Sequence, residues 1–213
     1  MILLITIVLV FIFLSNLFIY WKIFLKVKDK NNKLVRFFYK IFPIIWTFTF
    51  ITIPIINSSF LRAYFPENSS YFDEYWNLFA LLGIAFIIIG ISFAKKARKV
   101  YSVKPMDEES SELITSDIFR IIRHPVYSGW VIIFLGAALI SDSLISLILC
   151  PIIYVILESH ASIEEKLILI PKYGDNYEKF KDRTPYRIIP TPLNFLLIII
   201  AVIIVYVGFL NIS

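Results

Sequence analysis

The stretch RHPVYSGWVIIFLGAALISDSLISLILCPIIYVIL, Arg123–Leu157, decides the fold. It opens on Arg123-His124-Pro125 and runs apolar from Val126 to Ile140. It breaks at Ser141-Asp142-Ser143 and runs apolar again from Leu144 to Leu157. Continuous apolar runs of this kind read as helices, since a strand with one buried face would alternate. So short a polar turn folds the two arms into an antiparallel helical hairpin. Each arm is about 22 Å long at 1.5 Å per residue, less than the roughly 30 Å hydrocarbon core of a bilayer. The hairpin over 126–157 is expected either to tilt little or to stop short of a full crossing. Pro151 removes one backbone hydrogen bond and is expected to bend the second arm.

Working outward, four more apolar segments flank the hairpin: Ile2–Tyr20, Phe37–Ile56, Asn77–Ala94 and Leu193–Leu210. Of the 213 residues, 59% are hydrophobic, more than a soluble domain carries. The expected fold is an all-α integral membrane protein with about six transmembrane helices, including the short helical hairpin. One membrane domain is expected over 1–213, with three N-terminal spans in 1–94, a core in 113–190 and a last span in 193–210. Met1-Ile2-Leu3-Leu4 places no basic residue before the first apolar run, so no cleaved signal is expected. The lone cysteine, Cys150, lies within an apolar run and reads as a small hydrophobe.

The charges fix an orientation. Twenty of the 21 Lys and Arg residues fall within 22–40, 94–125 and 161–192, and Arg62 alone falls in the 57–76 loop. Positive loops stay in the cytoplasm, so both termini are expected outside and the three cation-rich stretches inside. The net charge of +5 is thus a topology signal that can also attract anionic lipid headgroups. It is no nucleic-acid footprint, because no basic stripe with base-stacking aromatics accompanies it. The location is a cell membrane in a prokaryote, or the endoplasmic reticulum in a eukaryote. Three Asn-x-Ser triplets, at Asn57, Asn68 and Asn211, lie on the expected outer side, and coincidence explains them best.

Chemistry-bearing residues collect at the inner end of the hairpin. Pro125 favours extended backbone at His124 and starts a helix well. His124 should therefore precede the first helical turn, where free amides and Arg123 suit a carboxylate or phosphate. Tyr127 and Gly129 follow. Gly129 leaves room for a ligand or for a neighbouring helix, and Tyr127 equally suits an interfacial aromatic belt. Glu164-Glu165 leave the far arm on the same membrane face, where carboxylates are costly unless solvated or used. They suit ribose hydroxyls, an ammonium group or the positive field of a sulfonium. Surface ion pairs with Lys166 or His160 are the plainer reading. Two histidines without a cysteine cluster make a poor metal site, and none is expected. Pro171–Phe180 is amphipathic and aromatic-rich, suited to a lid that includes Tyr173 and Tyr177. Arg187, between Pro185 and Pro190, is either an orienting guanidinium or an anchor for the last span.

Taken together, Arg123-His124-Pro125-Val126-Tyr127-Ser128-Gly129, then Glu164-Glu165, Tyr173-Gly174, Tyr177, Phe180 and Pro185-Tyr186-Arg187-Ile188-Ile189-Pro190, resemble a known pattern. It is that of the isoprenylcysteine carboxyl methyltransferase and phospholipid methyltransferase superfamily, integral membrane enzymes, over about residues 113–190. The resemblance implies S-adenosylmethionine as methyl donor, bound in a pocket open to the cytoplasm. It implies that His124, Tyr127 and Gly129 line the methionine part of that pocket, with Arg123, Pro125, Tyr173 and Tyr177 beside them. It implies that Glu164 and Glu165 contact the cofactor's polar groups, and that Arg187 and Glu165 are catalytic, Arg187 holding the acceptor near the transferred methyl. Asp117-Ile118-Phe119 stand before Arg120 where the family has Gly-Pro-Tyr or Gly-Pro-Phe, a departure at the cofactor mouth.

The implied acceptor is lipophilic: an isoprenylcysteine carboxylate, a phospholipid amine or another lipid-like or lipidated group. Methyl transfer needs in-line alignment more than acid–base machinery, so the absence of a catalytic triad is no objection. Two other readings stay open at the level of sequence. An NADPH-dependent membrane reductase of the sterol type shares an Arg-His-Pro-x-Tyr segment. A non-enzymatic lipid-binding membrane protein would need no cofactor. Oligomeric state is not encoded legibly.

Overall fold

The computed structural model describes residues 2–26, 33–61, 64, 75–103, 113–190, 199, 202 and 206. Among these every regular element is helical. The chain divides into two compact units, Met1–Ser70 and Tyr71–Ser213.

The first unit is a helix pair, α1 (Ile2–Lys26) and α2 (Lys33–Ile56). Two polar bonds tie the pair: Trp46 Nε1 donates to Asn16 Oδ1 at 3.0 Å, and Asn57 Nδ2 to Thr6 Oγ1 at 2.9 Å. The pairings run in opposite directions along the chain, so the helices are antiparallel. Polar links of this kind hold apolar helices together where lipid removes the hydrophobic drive. Phe13 packs edge-on to Trp46 between the two links. Asn57 is buried by this packing, so its Asn-Ser-Ser triplet is a structural joint.

The second unit begins with α3 (Trp76–Val103), then the hairpin of α4 (Pro125–Ile140) and α5 (Leu144–Glu164). Helices α3 and α4 approach through paired glycines seven residues apart on each. A Cβ on Gly90 would lie 2.7 Å from the Gly129 carbonyl oxygen, and one on Gly136 would lie 2.5 Å from that of Gly83. No side chain other than hydrogen fits, and the two backbones touch directly. Gly129 therefore serves the packing of α4 on α3.

The expected second arm ended at Leu157. The helix instead continues through α5 into a π turn (Glu165–Leu169) and a last turn, α6 (Ile170–Tyr173). Leu144–Tyr173 is thus one 30-residue apolar helical run, long enough to cross a membrane. The polar residues that end the apolar run, Glu158, His160, Glu164 and Glu165, turn toward other protein groups and do not break the helix. Leu3–Lys22 and Trp76–Ala97 are also long and apolar enough to cross, while Ile45–Ile56 and Pro125–Ile140 are shorter. The expected last span, Leu193–Leu210, lies outside the described residues apart from three positions.

Beyond α6 the chain turns at Gly174, whose φ of 52° and ψ of −132° suit glycine. It then forms α7 (Asp175–Arg183). Tyr177 and Phe180 of α7 pack with Leu169, with Ala97 of α3 and with Ile114, Ile118 and Phe119 in a small core. Before the hairpin, Asp117–Arg120 forms a 3-10 turn, and Ser116 makes no side-chain cap. Arg123 lies beyond it.

Candidate functional site

Three separated segments meet at the start of α4. Pro125 occupies the first turn of α4, and His124 precedes it with φ of −121° and ψ of 66°. The backbone before the helix is open to pairing, and residues 184–188 take it as a strap. The Arg123 N–H donates to the Tyr186 carbonyl at 3.0 Å and the His124 N–H to the Arg187 carbonyl at 2.8 Å. The Ser128 hydroxyl donates to the Ile188 carbonyl, and the Thr184 hydroxyl reaches the Phe119 and Arg120 carbonyls. Pro185 and Pro190 stand on either side of Arg187, so it is held on stiff backbone.

The third segment is the end of α5, and its centre is Glu165, only 2% exposed. One carboxylate oxygen accepts from Arg123 Nε at 2.7 Å and lies 3.2 Å from His124 Nε2. The other accepts from Arg187 Nε at 3.1 Å. Arg123 also donates to the Thr184 carbonyl. The anion expected at the head of α4 is thus the protein's own carboxylate. Glu165 sits where the helix widens into the π turn, a distortion found often at functional positions.

Glu164 faces a different set. It accepts from the Tyr127 hydroxyl at 2.8 Å and lies 3.6 Å from His124 Nδ1. The His124 and Tyr127 rings stack 5.4 Å apart, and the His160 ring meets Tyr127 edge-on at 5.3 Å. Glu164 keeps 20% of its side chain exposed against 3% for Glu165. The adjacent carboxylates therefore differ: Glu165 is enclosed by its protein partners, and Glu164 is the one with a free edge.

Arg187 joins Glu165 to Glu158, donating to both. Burial works against its charge, but the hydrogen bonds and field of the two carboxylates outweigh it and raise its pKa above the ordinary value. A polar cavity of about 190 Å³ opens beside it, lined by Arg123, Tyr154, Glu158 and residues 185–189. Tyr177 is buried, its hydroxyl in the field of Glu165 without a hydrogen bond of good geometry. Burial first, and Glu165 second, push its phenol up, so it stays protonated. Tyr173 lies elsewhere, on a separate cleft with Lys172 Nζ 5.2 Å from its ring.

Arg123 and Arg187 thus stand among three carboxylates, Glu158, Glu164 and Glu165, with the His124 ring between the last two. Sequence reading passes over Glu158, although it lies seven residues before Glu165 on the same helical face. A lone carboxylate closing an apolar run is the signal that marks it. Thr184 and Ser128, which fasten the strap, carry no comparable signal.

The sequence model of the phospholipid methyltransferase family matches residues 78–176. The match runs from α3 into α7, taking in the glycine-paired helices, His124, Tyr127, Glu158, Glu164 and Glu165, and stops before Arg187. No curated protein and no solved structure matches the chain.

Proposed function

Starting from a chain that carries this family match, in the membrane methyltransferase superfamily, we propose that it moves a methyl group from S-adenosylmethionine to a lipophilic acceptor at the inner membrane face. The observation that carries the reading is the convergence of Arg123, His124, Tyr127, Glu164, Glu165 and Arg187 from three segments onto one cluster, in which Glu164 keeps an exposed edge beside the stacked His124 and Tyr127 rings.

The donor set fits the cofactor. When bound, S-adenosylmethionine supplies an electrophilic methyl on a positively charged sulfur. Glu164, with its exposed edge, and the stacked His124 and Tyr127 rings would hold its polar and cationic parts. Glu165 does not meet the ligand directly in this reading; it fixes Arg123, His124 and Arg187 in register. The buried Tyr177 hydroxyl offers one further donor.

Arg187 and Glu158 face the small cavity and would orient the acceptor's polar end. A carboxylate acceptor arrives ionised and needs no base. An amine acceptor gives up one proton, and Glu158 or His124 is placed to take it.

Calorimetry on the detergent-solubilised protein tests the donor. S-adenosylhomocysteine should bind in the micromolar range, about tenfold more weakly to Glu164→Gln, and NADPH should not compete. Binding of NADPH in place of S-adenosylhomocysteine would assign a reductase. Silence with both, from folded protein, would favour a non-enzymatic lipid binder.

A further inference from the structure

A second cavity, of about 890 Å³, shares no lining residue with the one beside Arg187. Four cations line it, Arg120, Lys172, Lys179 and Arg183, and among the described residues no carboxylate does. The segregation is built into α7. Lys179 and Arg183 lie one turn apart on the cleft side, while Asp175, Glu178 and Asp182 follow a separate stripe and Tyr177 and Phe180 point into the core. Glu178 pairs with Lys181, which is outside the cleft. Among the described residues no carboxylate forms an ion pair with Arg120, Lys179 or Arg183.

We propose that this cleft binds the phosphate of an anionic phospholipid headgroup, holding the inner end of the protein on the membrane surface. The site is separate from the methyl-transfer cluster and stands whatever that cluster does. Three observations favour a lipid over a soluble phosphate. The lining is mixed, with Leu113, Tyr173 and Phe180 beside the cations, which suits glycerol and the first acyl carbons. The cleft is built from two of the three cation-rich stretches, those that flank Trp76–Ala97 and Leu144–Tyr173, so it belongs at headgroup level. Each cation sits on a short helix or turn of the segments that carry Ile118, Phe119, Tyr173 and Phe180 into the small core, so the backbone beneath the charges is held.

Native mass spectrometry of the full chain in detergent tests this. Dioleoylphosphatidylglycerol, dioleoylphosphatidylcholine and inorganic phosphate are the probes. The wild type should retain one phosphatidylglycerol and no phosphatidylcholine. Arg120→Gln/Lys179→Gln/Arg183→Gln, all exposed positions, should retain it about a hundredfold less well, as three surface cations near a lipid headgroup would give. Lys95→Gln/Lys96→Gln/Lys99→Gln removes the same charge from α3 and should change little. Unfolding temperature checks both variants, and Lys179→Glu alone should already weaken retention if the triple variant fails to fold. Equal losses in both triple variants would overturn the proposal in favour of diffuse attraction. Displacement by millimolar inorganic phosphate would make it a soluble-anion site. Displacement by S-adenosylhomocysteine would give the cleft to the cofactor.

Discussion

Glu164 and Glu165 are neighbours in sequence with opposite duties. Glu165 carries the bonds of Arg123, His124 and Arg187. Deleting it leaves the buried Arg123 guanidinium without its carboxylate and Arg187 with Glu158 alone, so Glu165→Ala should lower stability by about 3–5 kcal/mol, measured by thermal or denaturant unfolding. Glu164→Gln should leave the unfolding midpoint within about 0.5 kcal/mol and act on the cofactor affinity instead. Equal destabilisation by both would contradict the division. Glu158→Gln should lower turnover through the acceptor, raising its KM while leaving S-adenosylhomocysteine affinity unchanged, because it releases one of the two restraints on Arg187. At this scale the sequence was informative where residue types cluster: Arg123, His124, Tyr127, Glu164, Glu165 and Arg187 do meet. It was silent about which carboxylate is enclosed, because that depends on where the 184–188 strap lies.

Elements position these residues by close packing and by one distortion. The Gly83–Gly136 and Gly90–Gly129 contacts set the distance from α3 to α4. Gly136→Ala would place a methyl against a backbone oxygen that no rotamer can clear, at a cost of about 1–3 kcal/mol by unfolding in detergent. An unchanged midpoint would mean the helices separate freely. The hairpin was legible from Ser141-Asp142-Ser143 and the apolar runs on either side. The true length of the second arm was not. Apolar periodicity stops at Leu157 because the next polar groups satisfy one another across the site, and periodicity reads them as the edge of the membrane. The strap pairing of 123–124 with 186–187 was equally hidden, since two backbone hydrogen bonds between distant residues leave no pattern in composition.

For the whole molecule, helical class and membrane residence follow from composition and charge placement, and Leu3–Lys22, Trp76–Ala97 and Leu144–Tyr173 carry both. The charge pattern predicts that α7 faces the cytoplasm. In a Cys150→Ser background, Tyr64→Cys should react with an impermeant maleimide on intact cells, and Lys179→Cys only after permeabilisation; the reverse would invert the topology. The central claim is methyl transfer to a lipophilic acceptor, and its most direct test is chemical. The purified protein, reconstituted with a polar lipid extract of its host, is given S-adenosylmethionine labelled in the methyl group. Label should appear in the organic phase, be lost in Arg187→Ala and be greatly reduced in Glu164→Gln. Label that stays with the donor while S-adenosylhomocysteine still binds, or incorporation indifferent to both substitutions, would contradict it.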